Sequence, residues 1–386
     1  MAIPVKYNLR NLRVRWRSTI ATMLGVALVV AVFVMVMSLH RGMQSTYIRT
    51  GDERNLLVLR KGSTAESSSQ ISRDDARLIK YTPGIARNRD DQPLASPEII
   101  VLILLDRVDG GNANVQVRGI GPVGFALRPN VRIIEGRMFE SGKRECVVSR
   151  KIADRFAHCR VGETFHSGKD DWHVVGIFDA RKSAYESEIW IDADEVRDAF
   201  NRNFYGSVLL RPVNSATAAA IVERLQKDKT FNVKVVTETE YYKEQTKSAG
   251  LFQFLASFLA VIMSIGAAFS AMNTMYAAVG ARTREIGTLR VLGFKRREIY
   301  ASILLESMLL AVLGGALGCL LSLPMNGMAT GTMSQTTFAE IAFEFRITPE
   351  LLGKGMIFAV VMGVIGGLLP ARMAARKPVL DALRAV

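Results

Sequence analysis

The sequence predicts a membrane protein with four transmembrane α-helices and a large α+β extracytoplasmic domain inserted between the first and second helices. Long uncharged stretches predict the helices, and a charge-rich block predicts the domain. This block, Arg41 to Lys247, holds 33 Lys/Arg and 29 Asp/Glu, whereas the rest of the chain holds 17 Lys/Arg and only 7 Asp/Glu. The net charge is +14, and the surplus cations flank apolar stretches. Cations in such positions are typical of the cytoplasmic ends of membrane spans. They do not form the basic face of a nucleic-acid-binding protein, so no nucleic-acid partner is expected.

The spans are predicted from the length of the uncharged stretches. Ser18 to Leu39 contains 22 uncharged residues, and a helix rising about 1.5 Å per residue then crosses a hydrocarbon core of about 30 Å. The stretch begins like a secretory signal, but it is too long and lacks a small-residue cleavage site, so we predict an uncleaved anchor. Close helix contacts are expected at Gly314, Gly315 and Gly318. The predicted spans are residues 18–40, 248–280, 300–323 and 351–371.

The positions of Lys and Arg predict the orientation of the spans. Five cations precede the first span, six lie between the second and third, and four follow the fourth. Because such cations stay on the cytoplasmic side, both termini and residues 281–299 are predicted to be cytoplasmic. Residues 1–17 are then a cytoplasmic amphipathic helix and residues 372–386 a cytoplasmic tail. The domain at 41–247 and the loop at 324–350 are expected outside.

The inserted block alternates short β-rich segments with helical patterns, which predicts an α+β fold. Ser72, which precedes Asp74 and Asp75, is the expected N-cap of the first helix. The predicted strands are Leu56–Leu59, Ile99–Leu105, Val115–Arg118, Glu145–Ser149, Trp172–Ile177, Ile189–Ile191, Ser207–Leu210 and Val233–Val236. The predicted helices are Ser72–Lys80, Arg150–Phe156, Asp192–Asn201 and Ala216–Lys227, with a further helix from about Glu238 extending the second span outward.

Catalytic patterns are not recognisable in the sequence. It contains no G-x-x-x-x-G-K-[ST] motif, so we expect this chain to bind no ATP and to be a non-catalytic subunit. No cofactor is expected either. If Gly168 to Asp171 turns a hairpin, His166 and His173 would face each other across two strands, but two ligands do not make a metal site, and an exposed polar pair is the expected outcome.

Two cysteines of the inserted block leave two alternatives open. Cys146 and Cys159 are both expected outside, where an oxidising environment permits a disulfide between them. Two separate buried thiols are the other outcome, because free cysteine is among the most buried residue types. The sequence does not decide between a bonded and an unbonded pair, since the bond requires a specific approach of the two backbones.

The segment from Ala281 to Ile299 is basic and amphipathic, with six Lys/Arg against two acids. Ile286, Leu289 and Leu292 follow one another at intervals of three, which predicts a short helix with one apolar stripe. We expect this stripe to contact another protein, with Glu285 and Arg290 making charged contacts at its rim. The alternative is a basic loop that only sets topology or binds anionic membrane lipid.

The order of residues in this segment resembles the cytoplasmic coupling segment of the FtsX-like permease family, the membrane subunits of MacB/LolC/FtsX-type ABC transporters. The segments Leu9–Leu12, Arg17–Thr19 and Leu368–Arg372 resemble the two ends of that family. Ile134–Phe139 and Val161–Phe178 resemble its MacB-type periplasmic core domain. The residues that match the coupling segment are Arg282, Glu285, Ile286, Gly287, Leu289, Arg290, Leu292, Gly293 and Ile299.

The resemblance implies the permease subunit of an ABC transporter in the bacterial cytoplasmic (inner) membrane. Its expected partners are a separate ABC ATPase dimer that uses ATP, a second permease copy or related permease, and a periplasmic adaptor protein. Motion of the ATPase would reach the extracytoplasmic domain and drive export or extraction of a substrate, which the family calls mechanotransmission. An alternative within the family is an FtsX-like regulator that activates a cell-wall hydrolase. A stand-alone receptor on four anchors would have no ATPase partner.

Overall fold

The computed structural model describes residues 16–228, 230–248, 250–333 and 338–377, which form two compact units. The first, called the membrane unit, contains the described residues up to Arg41, Phe252–Met328 and those from Phe345 onwards. The second, called the insert domain, contains Gly42–Leu251 and Ala329–Glu344. Residues 1–15 of the predicted amphipathic helix and residues 378–386 of the predicted tail lie outside the described residues.

The helices follow the predicted order along the chain. They are α1 (Trp16–Ile48), α2 (Arg73–Lys80), α3 (Pro122–Ala126), α4 (Arg150–Arg155), α5 (Ala193–Ala199), α6 (Ser215–Lys227), α7 (Glu238–Ser248), α8 (Gly250–Gly280), α9 (Thr283–Val291), α10 (Arg296–Ser322) and α11 (Pro349–Arg376). Among them, α1, α8, α10 and α11 are long and apolar enough to cross a membrane. This confirms the prediction of four candidate membrane helices with a domain between the first and the second.

Three of the membrane helices, α1, α10 and α11, extend beyond the predicted spans at one or both ends, because backbone hydrogen bonding does not stop where apolar side chains stop. The first helix, α1, continues through Arg41, which donates to Thr348 Oγ1 (2.6 Å) and to Glu350 Oε1 (2.7 Å). Thr348 is also the N-cap of α11, where its hydroxyl accepts from the Leu351 amide at 3.3 Å. Capping by Thr348 therefore sets where α11 begins, which hydropathy does not indicate.

The three glycines of α10 pack against two different helices. A Cβ on Gly318 would lie 2.5 Å from the Ala27 carbonyl oxygen of α1, and one on Gly315 would lie 2.6 Å from the Cβ of Ala359 in α11. Gly314 would likewise meet α1, at 2.9 Å from the Met23 carbonyl oxygen. The predicted close helix contacts are confirmed, because only a missing side chain lets these backbones approach so closely.

Replacing Gly318 by alanine is expected to destabilise the membrane unit by about 1–3 kcal/mol, since the new methyl group must push α1 and α10 apart. Gly25→Ala in α1 is the matched control, because a Cβ there meets nothing within 4 Å and alanine favours a helix. Thermal unfolding of the detergent-solubilised chain measures both. Equal unfolding temperatures for the two variants would contradict the close packing of α10 against α1 at Gly318.

The insert domain is built on one mixed sheet. Its strands are β1 (Leu56–Arg60), β2 (Ile71–Ser72), β3 (Ala95–Asp106), β4 (Asn112–Ile120), β5 (Arg132–Gly136), β6 (Glu145–Ser149), β7 (Thr164–Ser167), β8 (Asp170–Asp179), β9 (Glu188–Asp192), β10 (Phe204–Tyr205), β11 (Ser207–Leu210), β12 (Val233–Thr237), β13 (Ala329–Met333) and β14 (Glu340–Glu344). The main sheet has the order β12-β1-β11-β3-β4-β9-β6-β8-β5, with β7 on β8. The pairs β4–β9 and β6–β8 are parallel, and the others along this sheet are antiparallel.

Every predicted strand is present, and β6 and β11 have the predicted bounds. The strand β3 is longer than the predicted Ile99–Leu105, because its two halves pair with different partners. Ala95 to Glu98 pair with β11, and Ile99 to Asp106 pair with β4. The predicted N-cap is also confirmed, since the Ser72 hydroxyl accepts from the Asp75 amide at 3.1 Å.

The stretch between α10 and α11 differs from the predicted loop at 324–350. It contains an antiparallel hairpin, β13–β14, which belongs to the insert domain. Glu340 pairs with Arg107 and Arg155, and the Ala342 amide donates to Ser187 Oγ at 2.8 Å. The two strands of this hairpin were not predicted, because the partners that stabilise it lie far away in the chain and leave no local pattern.

Candidate coupling interface

The predicted coupling segment contains a helix, α9, whose end has a local cause. Gly293 adopts a left-handed backbone with φ of 94°, and its amide donates to the Arg290 carbonyl at 3.2 Å. The Phe294 amide donates to the Leu289 carbonyl, also at 3.2 Å. These two bonds form a Schellman motif, which glycine favours because it has no Cβ. Within this chain Gly293 therefore ends the helix, and a Cβ there would meet nothing within 4 Å.

The predicted apolar stripe of α9 does not form a single face. Ile286 is only 7% exposed and packs with Met275 and Ile299 inside the membrane unit, whereas Leu292 is 69% exposed. Leu289 is half-buried. At about 100° per residue, intervals of three rotate by about 60° at each step, so Ile286 and Leu292 diverge by about 120°. The expectation that all three share one outward surface was therefore wrong.

The exposed side of the segment is called the outer face of α9 and consists of Arg284, Glu285, Thr288, Val291 and Leu292. Val291 is 61% exposed, so it forms an exposed apolar pair with Leu292. Arg290 is not part of this face, because it is half-buried and its Nη1 donates to the Phe294 carbonyl at 3.2 Å. Gly287 is buried on the opposite side. Of the two charged rim residues that the sequence predicted, Glu285 is the exposed one.

A buried ion pair, which the residue spacing did not predict, lies at the beginning of α9. Arg282 Nη1 and Nη2 donate to the two carboxylate oxygens of Glu306 in α10, each at 2.9 Å. The two side chains are only 11% and 6% exposed. A small cavity of about 30 Å³ lies beside the pair and is lined by residues of α8, α9 and α10. A signal was present, because Glu306 is the one charged residue in 300–323, and an acid in an apolar span usually has a buried partner.

The insert domain contains a second set of buried charges. Arg118 donates to Glu188 (Nε, 2.8 Å), to Glu98 (Nη1, 2.7 Å) and to Glu66 (Nη2, 3.1 Å). Arg128 makes two further bonds to Glu98, each at 2.7 Å. Burial raises the pKa of Glu98, but the charges of Arg128 and Arg118 outweigh it and hold that pKa below its ordinary value. The network therefore links strands of the sheet through ionised groups.

The two cysteines of the insert domain are free, buried thiols in one hydrophobic core. Of the two alternatives left open by the sequence, the structure has the unbonded one. Burial raises the pKa of Cys159 to about 12, and burial also raises the pKa of Cys146 well above its ordinary value. Both groups are therefore protonated, unreactive thiols near neutral pH.

The predicted hairpin at Gly168 forms, but the two histidines do not face each other. His166 lies opposite Asp171 and His173 lies opposite Thr164, because Ser167 and Asp170 close the turn. The prediction that the two histidines face each other was therefore wrong, because the register of the two strands pairs each histidine with another residue. Across the described ranges, no cluster of three or more His, Cys, Asp or Glu side chains is arranged to hold a metal ion.

These features together define a class of protein: a multi-pass membrane permease with an α+β domain between its first two membrane helices and a short helix between the second and the third. Residues 19–228 match the MacB-like periplasmic core domain, and residues 257–379 match the FtsX-like permease C-terminal domain. The chain belongs to this MacB/FtsX-like family of ABC transporter permeases.

Relatives match over nearly the whole chain. The macrolide export ATP-binding/permease protein MacB of Bdellovibrio bacteriovorus is 25% identical over 399 residues, which cover 95% of this chain and 58% of that protein. The pyoverdine export ATP-binding/permease protein PvdT of Pseudomonas entomophila is 24% identical over 403 residues, covering 96% and 58%. The chain thus spans a little over half the length of these curated relatives. The crystal structure of the periplasmic region of MacB from Actinobacillus actinomycetemcomitans aligns with 15% identity and a TM-score of 0.39, over 51% of this chain and 94% of that one.

Proposed function

We propose that this chain is the permease subunit that transmits ATP-driven motion of an ABC ATPase to the insert domain outside the membrane, for export or extraction of a substrate. The outer face of α9 carries the proposal. Its apolar pair, Val291 and Leu292, lies exposed on a helix whose opposite side is buried in the membrane unit. Exposed apolar residues bordered by charges are typical of a protein-binding surface. We assign the ATPase as the partner at this surface.

The proposed setting is the bacterial inner membrane, with both termini cytoplasmic and the insert domain outside. The basic residues that flank the spans support this orientation. Large apolar side chains of α8, among them Phe254, Phe258 and Phe269, are exposed and in the proposed assembly contact lipid or a second permease copy. The curated relatives are named as ATP-binding and permease proteins, and this chain covers their permease part. We assign ATP hydrolysis to a separate subunit.

The purified chain is expected to hydrolyse no ATP, because its sequence contains no phosphate-binding loop of the P-loop type. Hydrolysis should appear when a partner ATPase is added, and the two should co-purify. The release of phosphate from MgATP by the chain alone, the ATPase alone and the mixture measures this. Robust turnover by the isolated chain, after removal of contaminating ATPases, would contradict the proposed division of labour.

Cysteines introduced at Thr64 and at Lys295, two exposed positions, are expected to lie on opposite sides of the membrane. In intact cells a membrane-impermeant thiol reagent should label Thr64→Cys and leave Lys295→Cys unlabelled, because the second lies on the cytoplasmic side. Native Cys146 and Cys159 add little background, since burial raises the pKa of both and only the thiolate reacts. Labelling of Lys295→Cys without permeabilisation would overturn the orientation.

A further inference from the structure

We propose that Arg282 and Glu306 are a positioning pair that makes α9 move with α10 as one body. In the proposed function this motion comes from the ATPase, and to that extent the inference rests on it. Arg282 is the residue directly before α9, and Glu306 lies within α10. The pair therefore connects the beginning of the coupling helix to a membrane helix that follows it in the chain.

The geometry of the pair fixes both the distance between the Arg282 and Glu306 side chains and their relative orientation. Each guanidinium Nη atom donates to a different carboxylate oxygen, Nη1 to Oε2 and Nη2 to Oε1, both at 2.9 Å. Such a two-point contact fixes the relative orientation of the groups, which a single hydrogen bond does not. Apolar packing of Ile286 against Met275 and Ile299 adds contact area, but packing alone tolerates sliding. We therefore assign to the ion pair the fixed orientation of the beginning of α9 relative to α10.

A second contact holds the same end of α9. Lys377, which follows α11, donates from Nζ to Thr283 Oγ1 at 2.9 Å. The helices α10 and α11 are themselves closely packed, because Ser307 Oγ donates to the Gly363 carbonyl at 2.6 Å and a Cβ on Gly363 would meet the Ala311 Cβ at 2.4 Å. A displacement of α9 therefore reaches α10 and α11 together. This route is additional to α8, which precedes α9 in the chain.

The test is a distance measurement on the full-length purified chain, with spin labels at Thr288→Cys and Ala301→Cys. Both positions are exposed, one on α9 and one on α10. The label pair should give one narrow distance distribution in an otherwise native chain. Glu306→Gln keeps the size of the side chain but removes the charge, so a shifted and broader distribution is expected. Arg284→Gln, which removes an exposed cation on the same helix, should leave the distribution unchanged.

Two further variants separate positioning from stability. Arg282→Lys keeps the charge but cannot make the two-point contact, so it should broaden the distribution even if Glu306→Gln fails to accumulate. The reciprocal exchange Arg282→Glu with Glu306→Arg should restore much of the narrow distribution. If Arg282→Lys and Glu306→Gln lower thermal stability without changing the distribution, the pair is merely structural and the inference is overturned. Failure of the native chain to bind any ATPase would defeat the proposed function but would leave this result standing.

Discussion

Replacing Leu292 by aspartate is expected to release the ATPase from the chain while leaving the chain inserted and folded. The side chain is 69% exposed, so a charge there costs little in the free permease. In the assembly it would lie desolvated within the outer face of α9, where truncating or charging an anchor residue costs about 2 kcal/mol or more. That loss corresponds to at least about thirtyfold weaker binding. Pull-down of the ATPase and titration of its binding to the detergent-solubilised permease measure the effect.

The matched control for Leu292→Asp is Leu104→Asp on β3, which makes the same chemical change at a leucine that is 59% exposed. ATPase binding should be unaffected by it, and Lys295→Ala should also be mild. Ile286→Asp should instead reduce the amount of folded chain, because Ile286 is buried within the membrane unit. If Leu292→Asp binds the ATPase as tightly as the unchanged chain, the outer face of α9 is not the docking surface. A stronger effect of Lys295→Ala would favour the alternative of a loop that only sets topology.

Replacing Arg118 by methionine is expected to unfold the insert domain under conditions where the unchanged domain is stable. The substitution preserves much of the side-chain volume but leaves Glu66 and Glu188 without their principal cationic partner, and Glu98 with Arg128 alone. Breaking a buried ion pair by removing one partner costs about 3–5 kcal/mol, against a total stability of about 5–15 kcal/mol for a typical domain. Thermal unfolding followed by the fluorescence of buried Trp172 and Trp190 measures the loss.

The pH dependence of the same variant provides a second readout. The pKa of Glu98 is lowered in the folded chain, so its contribution to stability is present above the unfolded pKa of about 4.3 and is lost as the pH falls. In Arg118→Met that contribution is reduced, and the difference in stability between the two chains should shrink as the pH falls. Arg87→Gln is the matched control, because it breaks the exposed Arg87–Asp91 pair, worth at most about 1 kcal/mol. If Arg118→Met and Arg87→Gln lower the stability equally, the buried network contributes no more to stability than an exposed ion pair.

Most of the secondary structure could be predicted because it depends on neighbours in the chain. Apolar and β-branched runs predicted β1, β6 and β11 nearly residue by residue. In contrast, β5 and β7 were missed, since β5 is mostly exposed and β7 is short. Their pairing with β8 supplies the stability that their own side chains do not. The partners of His166 and His173 were also not predictable, because the turn between β7 and β8 sets the register of those strands.

The candidate interface was predictable in position but not in orientation. A basic segment between two spans predicts a short cytoplasmic helix, yet residue spacing alone did not reveal which side of α9 is covered. Packing against α8 and α10 decided that Ile286 lies inside and Leu292 outside. The residues that match the coupling segment of the family therefore fall into two groups. Some hold the helix in the membrane unit, and others are available to a partner.

The sequence by itself determined the four membrane helices, the inserted α+β domain and the family, because length, hydropathy, charge and short motifs are local properties of a chain. Only the tertiary structure decided which charged groups meet. Arg282 and Glu306 are 24 residues apart, and Arg107 and Glu340 are 233 residues apart. Such pairs form because a buried charge must find an opposite charge wherever the fold brings one close. No periodic pattern along the chain predicts which charged residues pair.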